Sequence, residues 1–492
     1  MPSLLRKIVI GIGLFIGVAA ILLIISYLEE DWRGTRDWTK GQKELQAKGE
    51  ILDLLQLAPP GKPEDDLSKV PIFAEIYENF AHPDAQKPTR LDHISIYLGS
   101  NVSEKYPKNA SYLDGHPLDL TTWQHFYHSL PQSHLPMKVG TPAQDVLCAL
   151  SQFDPEMNEV ETALSNSNAF WPINYKMPFA GYLGGVTSML KIAKAIQIRA
   201  VAHLDNHESD LAEKDYLFSF EINRPLTKGC FMVNYLVFAA DRTVDDSILW
   251  EGIRRHAWSS AQLQEMESTI ASTDLLALAK TSYRTERASG IQTMHVIKKK
   301  DPGLLEQWGG DDPGMDFLIH TWYIRPSGWW DQDLLHYSFE IQKLIDAIDP
   351  AHSAIDFSAF DVRKPKTSWQ AFYTPLTEVA LPVDYSIGEK IAKTETYSRL
   401  TRIACRLEEY YLGHQQYPEK LEELPDLAPH LNEELLTKQP LHYQRKDKGY
   451  LLYSTGWDRK DHGGVRTGPI PDKEEGGVTV MTGDYDWVWP SP

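Results

Sequence analysis

The chain has 492 residues, 42% of them hydrophobic and 14 of them tryptophan, which is enough to build more than one core. Its 68 acidic side chains against 49 Lys plus Arg leave a formal charge of −19, which repels nucleic acid and anionic lipid surfaces and excludes nucleic acid as a partner. Cys148, Cys230 and Cys405 are far apart and form no CxxC pair, so they indicate neither a zinc site nor a disulfide framework; they are expected as small buried residues, with one disulfide left open.

Residues 1–7 form a short basic tail ending in Arg6 and Lys7. Ile8 to Leu28 is an uncharged apolar run, closed by Glu29, Glu30 and Asp31. At about 1.5 Å per residue it makes a helix of roughly 31 Å, the thickness of a bilayer's hydrocarbon core, so one transmembrane helix is expected. No small-x-small cleavage site follows it, so it reads as an anchor. Basic residues before the helix and acidic residues after it place the tail inside, although Arg33, Arg36, Lys40 and Lys43 weigh the other way. In a bacterium this predicts an inner-membrane protein, single-pass, with a periplasmic body.

In the juxtamembrane segment and linker, 29–71, Trp32 and Trp38 sit where an interfacial aromatic belt is expected. Trp38, Leu45 and Leu52 recur every seven residues, with Leu55 three further on, a stripe expected to dock on the protein's own body rather than pair two copies, although Gly41 and Gly49 weaken it. APPGKPEDDLSKVP, from Ala58, reads as a linker.

A mainly helical domain is expected over 72–390. Val186, Met189, Ala193, Ile196, Ala200 and Leu204 step at three and four, marking one face. Asp210 with Glu213, and Ser259 with Gln262, have the spacing of N-caps with reciprocal partners. The run Gly229 to Ala240 is apolar almost all round and predicts a fully buried central helix.

Chemistry is sparsely signalled. His203 and His207 are four apart and His125 and His128 three apart, but no HExxH is present and metal binding there is not favoured. Trp322, Tyr323, Trp329 and Trp330 with Asp331 and Asp333 have the composition of a sugar-stacking platform with paired carboxylates, or of ordinary core. GxSxG, GxxxxGK[ST] and GxGxxG are all absent.

Over 391–492, Tyr397, Leu400, Ala404, Leu407 and Tyr411 form a helical stripe that ends before Tyr417-Pro418. Leu421 and Leu424 open a short second helix, and Leu441–Gln444 and Tyr450–Ser454 read as a hairpin before a Gly-rich loop and a last strand in DYDWVWP. This order, with YPEKLEEL, GYLLYSTGWDRKDHGG and GDYDWVWP, resembles the globular part of the major pseudopilin of type II secretion systems. It is similar also to a group of membrane-anchored bacterial proteins that carry such a module at their C-terminus, a likeness extending to DWRGTRDWTKGQKELQAKGEILDL and WEGIRRHAWSSAQLQEME.

The resemblance implies an α+β pseudopilin-like C-terminal domain with a small antiparallel sheet. It also implies a calcium site, whose matching positions are Asp458, Asp461, Asp484 and Asp486; the alternative is that these aspartates make turns. The anchor lacks a pseudopilin's processing motif and lies hundreds of residues from Tyr397, so polymerisation through N-terminal helices is not implied. The function expected is a membrane-anchored envelope protein with an assembly or binding role through a protein partner and without catalysis. An envelope hydrolase acting on glycans and a structural spacer are the alternatives.

Overall fold

The computed structural model describes all residues except 1, 60, 82–86, 99–106, 134, 136–138, 174, 176–183, 230, 299–324, 361–372, 467–484 and 492, and helix dominates it. The principal helices are α1 (Pro2–Ala47), α2 (Gly184–Asp205), α3 (Ser209–Asn223), α4 (Met232–Arg254), α5 (Ser260–Ala271), α6 (Leu275–Lys298), α7 (Ser327–Ala347) and α8 (Pro375–His414). Two small antiparallel sheets accompany them: β1 (Ile348–Asp349) with β2 (Ala354–Ile355), and β3 (His442–Lys446), β4 (Gly449–Ser454) and β5 (Trp487–Trp489) in the order β3-β4-β5. The chain divides into two compact units. The first gathers Met1–Ala58, Tyr283–Ala347 and Phe357–Ile387; the second gathers Pro59–Ser282, Ile348–Asp356 and Gly388–Pro492.

In the first unit, α1 carries the apolar run and then the juxtamembrane segment without a break. The run is long and apolar enough to cross a membrane and is unburied, with Leu14 at 66% and Phe15 at 75% exposure. Beyond it the same helix packs along α7. The seven-residue stripe docks on the body: Trp38, Leu45 and Leu52 are buried in one cluster with Ile291, Met294, Trp330 and Leu334, whereas Leu55, beyond the helix-ending turn at Gly49, is exposed. Burying each such side chain stabilises by about 1.5–3 kcal/mol. Trp38 is therefore core rather than a belt residue, whereas Trp32 stays exposed with the Arg36 guanidinium 4.7 Å over its ring.

Close approach of α1 and α7 depends on two glycines. A Cβ on Gly34 would lie 2.1 Å from the Gly328 carbonyl oxygen, and one on Gly328 would lie 2.0 Å from that of Glu30. With backbone in near contact, Gly328 N–H donates to Asp31 Oδ1 at 2.8 Å, Trp329 Nε1–H donates to Glu30 Oε2 at 3.0 Å, and Thr35 Oγ1–H donates to Asp331 Oδ2 at 2.9 Å. Gly49, at φ +83°, ends the helix and turns the chain so that the Glu50 carboxylate meets Arg284 at 3.1 Å and Arg287 at 2.6 Å. Burial pushes the Glu50 carboxyl up, but hydrogen bonds and charge from the two arginines outweigh it and hold it at about 2.

In the second unit, Met189, Ala193, Ile196, Ala200 and Leu204 are all buried on α2, which packs on α3 and α4. The Ser259–Gln262 capping box is present at the start of α5. The Asp210–Glu213 pair does not cap: α3 starts at Ser209 after Glu208, and both carboxylates accept from Gln262 Nε2 at 3.1 and 3.2 Å. The apolar run at Gly229 is also displaced, because α4 begins at Met232 and continues to Arg254, with Val233 exposed and a polar buried face described below.

Leu400, Ala404 and Leu407 are fully buried on α8 and Tyr411 is half-buried, stacked 4.3 Å from the His256 ring. The hairpin pairs His442 with Tyr453 through Lys446 with Gly449, and β4 pairs Leu452 with Trp489. The short second helix is a single turn, Leu421–Glu423. Cys405 is buried as expected, whereas Cys148 is exposed because it lies on the outer face of the Pro142–Leu150 helix; Cys230 is outside the described residues.

Gly34→Ala and Gly328→Ala test the backbone contact. Helix propensity favours Ala over Gly by about 1 kcal/mol, but the added methyl meets backbone that cannot rotate away. Each variant is expected to lose about 1–3 kcal/mol in unfolding of the detergent-solubilised chain, and an unchanged melting temperature would show that the contact does not hold the segment.

Candidate functional site

The largest cavity among those described is a groove of about 820 Å³ on the second unit, continuous in its lining with a smaller one of about 270 Å³. The volume lies in the range of small-molecule sites. Its wall begins with residues 108–118. A Ser111–His116 bridge and the turn Tyr112–Asp114, closed by Gly115, hold this segment in shape.

Side chains from α2 and α4 pin the segment. Asn109 Nδ2 donates to Gln197 Oε1 at 3.0 Å, Gln197 Nε2 donates to the Ala110 carbonyl at 3.2 Å, and Leu118 N–H donates to the buried Glu251 Oε1 at 2.6 Å. From the C-terminal loop, Arg466 donates to the carbonyls of Leu113 at 2.8 Å and Val488 at 3.2 Å. Tyr112 meets Tyr397 of α8 edge-on at 5.5 Å and lies 5.3 Å from the Trp489 ring of β5.

Beneath this wall α4 buries a row of charges. Arg242 bonds Asp245 at 3.3 Å and Asp246 at 2.9 Å, all three nearly without solvent contact. Ser219 Oγ donates to Asp245 at 2.5 Å and Asn223 Nδ2 at 3.4 Å. Burial pushes Asp245 up to about 7 and Asp246 up to about 6 against the pull of Arg242. Asp241, one turn earlier, is fully buried, and neither of its oxygens has a hydrogen-bond partner. Burial raises it well above the usual carboxylate range, and Asp245 adds to that. Asn234, seven residues before Asp241 and so on the same face, is equally buried and unpartnered.

The cationic side chains on the groove are Lys108, Lys194, Lys393 and Arg466, with Lys390 on the smaller cavity. The acids there are committed elsewhere: Asp246 to Arg242, Asp114 to Ser111 Oγ at 2.7 Å, and Asp486 to backbone N–H groups.

The residues singled out from sequence fall into other settings. Asp458 accepts from Lys460 N–H at 3.0 Å and meets His462 Nε2 at 3.0 Å. Asp461 accepts from the Tyr453 hydroxyl at 2.9 Å and Gly463 N–H at 2.8 Å. Asp486 accepts from His462 N–H at 3.1 Å and Gly464 N–H at 2.7 Å. Asp484 lies outside the described residues. Among the described residues no three His, Cys, Asp or Glu side chains converge as a metal site; Asp458 bonds within its own loop, Asp461 ties the loop to Tyr453 of β4, and Asp486, just before β5, holds the loop N–H groups of His462 and Gly464.

His203 pairs with Glu208 at 2.8 Å, while His207 sits exposed at φ +62°, so the two imidazoles do not face one site. His128 pairs with Asp145 at 2.7 Å and His125 is exposed. Trp322 and Tyr323 are outside the described residues, and Trp330 is core. Asp331 is held by Lys298 at 2.7 Å and by Thr35, whereas Asp333 accepts from Thr377 N–H at 3.1 Å. The two carboxylates are thus bound to separate partners rather than turned toward one substrate.

Comparison of the chain with protein-family models, with curated proteins and with solved structures gives no match.

The raised carboxyls set a sign for pH dependence. Asp245 and Asp246 bind protons in the folded state at pH values where the unfolded chain has released them, so their contribution to stability is full below about pH 4 and falls as pH rises through 6 to 7. Asp245→Asn removes one such proton site while keeping an acceptor for Ser219. Melting temperatures measured from pH 4.5 to 7.5 are expected to fall less steeply in this variant than in the parent; parallel curves would refute the assignment.

Proposed function

We propose that this chain is a single-pass membrane protein of the bacterial envelope whose body serves binding or assembly rather than catalysis. The observation that carries the reading is the unburied apolar helix Ile8–Leu28, which continues unbroken into a segment docked by Trp38, Leu45 and Leu52. An apolar surface of that length has no stabilising environment in water, and a bilayer supplies one. Docking of the next turns gives the unit a fixed relation to the membrane surface instead of a flexible tether.

Orientation follows from the flanks. Arg6 and Lys7 precede the span, and Glu29, Glu30 and Asp31 follow it. Glu30 and Asp31 are engaged by Trp329 and Gly328, so the acidic exit forms part of the body's own packing. The body then lies on the periplasmic side. The order of the last part of α8, the turn at Leu421 and the sheet β3-β4-β5 supports a pseudopilin-like module used as a fold within a larger unit.

Cys148 supplies the test, being exposed. In a Cys230→Ser background, a membrane-impermeant maleimide is expected to label Cys148 in intact spheroplasts, and Cys148→Ser is expected to abolish labelling. The protein should stay with membranes through carbonate extraction. Labelling only after lysis would reverse the orientation, and release by carbonate would remove the anchor.

A further inference from the structure

We infer that the 820 Å³ groove on the second unit binds a compact multivalent oxyanion, a ligand bearing phosphate groups or several carboxylates. This deepens the binding reading above by naming a ligand class, and it rests on that reading only in taking the groove as a binding site.

The chain as a whole carries a charge of −19, so an unbiased cavity on it is expected to be acidic. This one is lined by Lys108, Lys194, Lys393 and Arg466, with Lys390 beside it. Lys108 and Lys390 are exposed and Lys194 is half-buried, and none of these three ammonium groups has a hydrogen bond or ion pair among the described residues. They come from three separate segments, the 108–118 wall, α2 and α8. Like charges brought together from three segments repel one another and cost stability, a cost that an anion between them offsets.

The acids on the same walls do not cancel this charge. Asp246 is matched by Arg242, while Asp114 and Asp486 accept hydrogen bonds from Ser111 and from the loop N–H groups and face five cationic side chains on the two cavities, so the cations remain in excess. The carboxyl that feels Lys194 is Asp241, which is buried without a hydrogen bond, and burial raises it well above the usual carboxylate range.

Valence follows from the count of cations and the volume. A single carboxylate satisfies one or two ammonium groups, whereas a polyphosphate or a tricarboxylate satisfies several within a few hundred cubic ångströms. Rigidity supports the assignment too: Arg466 is fixed by two carbonyls and the 108–118 wall by Gln197 and Glu251, so the walls are pre-formed.

Calorimetric titration of the full chain in non-ionic detergent with tripolyphosphate and, separately, with citrate tests this. Binding of at least one is expected, weakening as salt rises, and the preferred probe assigns the source as phosphate or polycarboxylate. The combined variant Lys108→Gln, Lys194→Gln and Lys390→Gln is expected to lose about tenfold or more in affinity, equivalent to at least about 1.4 kcal/mol. Lys343→Gln, on the other unit, is expected to bind as the parent does. If the triple variant unfolds, the exposed pair Lys108→Gln with Lys390→Gln carries the comparison. Heat from neither probe, or binding that the groove variants leave unchanged, overturns the inference without touching the membrane topology.

Discussion

The first unit depends on backbone-to-backbone contact between α1 and α7 at Gly34 and Gly328. With two side chains removed, the helices approach closely enough for Asp31, Glu30 and Thr35 to reach the N-terminal turn of α7, where free N–H groups favour carboxylates. That fixes the register in which Trp38, Leu45 and Leu52 enter their cluster. A shift of one residue along α1 would rotate the stripe by about 100° and expose it. The Glu50–Arg284–Arg287 triad then seals the far end, with Glu50 and Arg287 at low exposure. Gly41 belongs to this arrangement as well, for it makes room for Leu335.

The second unit has a different constraint. Its central helix α4 buries Asn234, Asp241, Asp245 and Asp246 together with Arg242, an arrangement that an apolar core of the same volume would exceed in stability. One cation faces three carboxyls, and burial raises all three above the usual carboxylate range. The row also orders its surroundings. Ser219 and Asn223 fix α3 against α4, and Ser247 Oγ accepts the Tyr112 N–H at 3.3 Å, so the floor of the groove and its wall share one helix.

Much of the fold was legible because it follows local rules. The α2 stripe, the Ser259 capping box, the α8 face and the hairpin each rest on a spacing within one element, and each stands as expected. Structure departs from local pattern where tertiary contacts decide. Gly41 reads as helix-weakening in sequence and proves to be a packing feature; Asp210 has cap spacing but bonds Gln262; Gly229 extends an apolar run that the chain breaks at φ +58°. Asp331 and Asp333 look paired by spacing, yet on a helix two residues apart they diverge by about 200° and find separate partners.

The groove was invisible for a related reason. Lys108, Lys194, Lys390 and Arg466 are spread over more than three hundred residues, and no pair of them has a motif's spacing. Net charge misled as well, since a formal value of −19 describes the chain's average field while a site is set by local imbalance. That imbalance arises because five cationic side chains line the two cavities while Asp246 is paired with Arg242, leaving Asp114 and Asp486 as the other acids there. Sequence counts every carboxylate as a full charge. Folding pairs some of them and gathers cations from distant segments, and the balance on the groove wall is cationic.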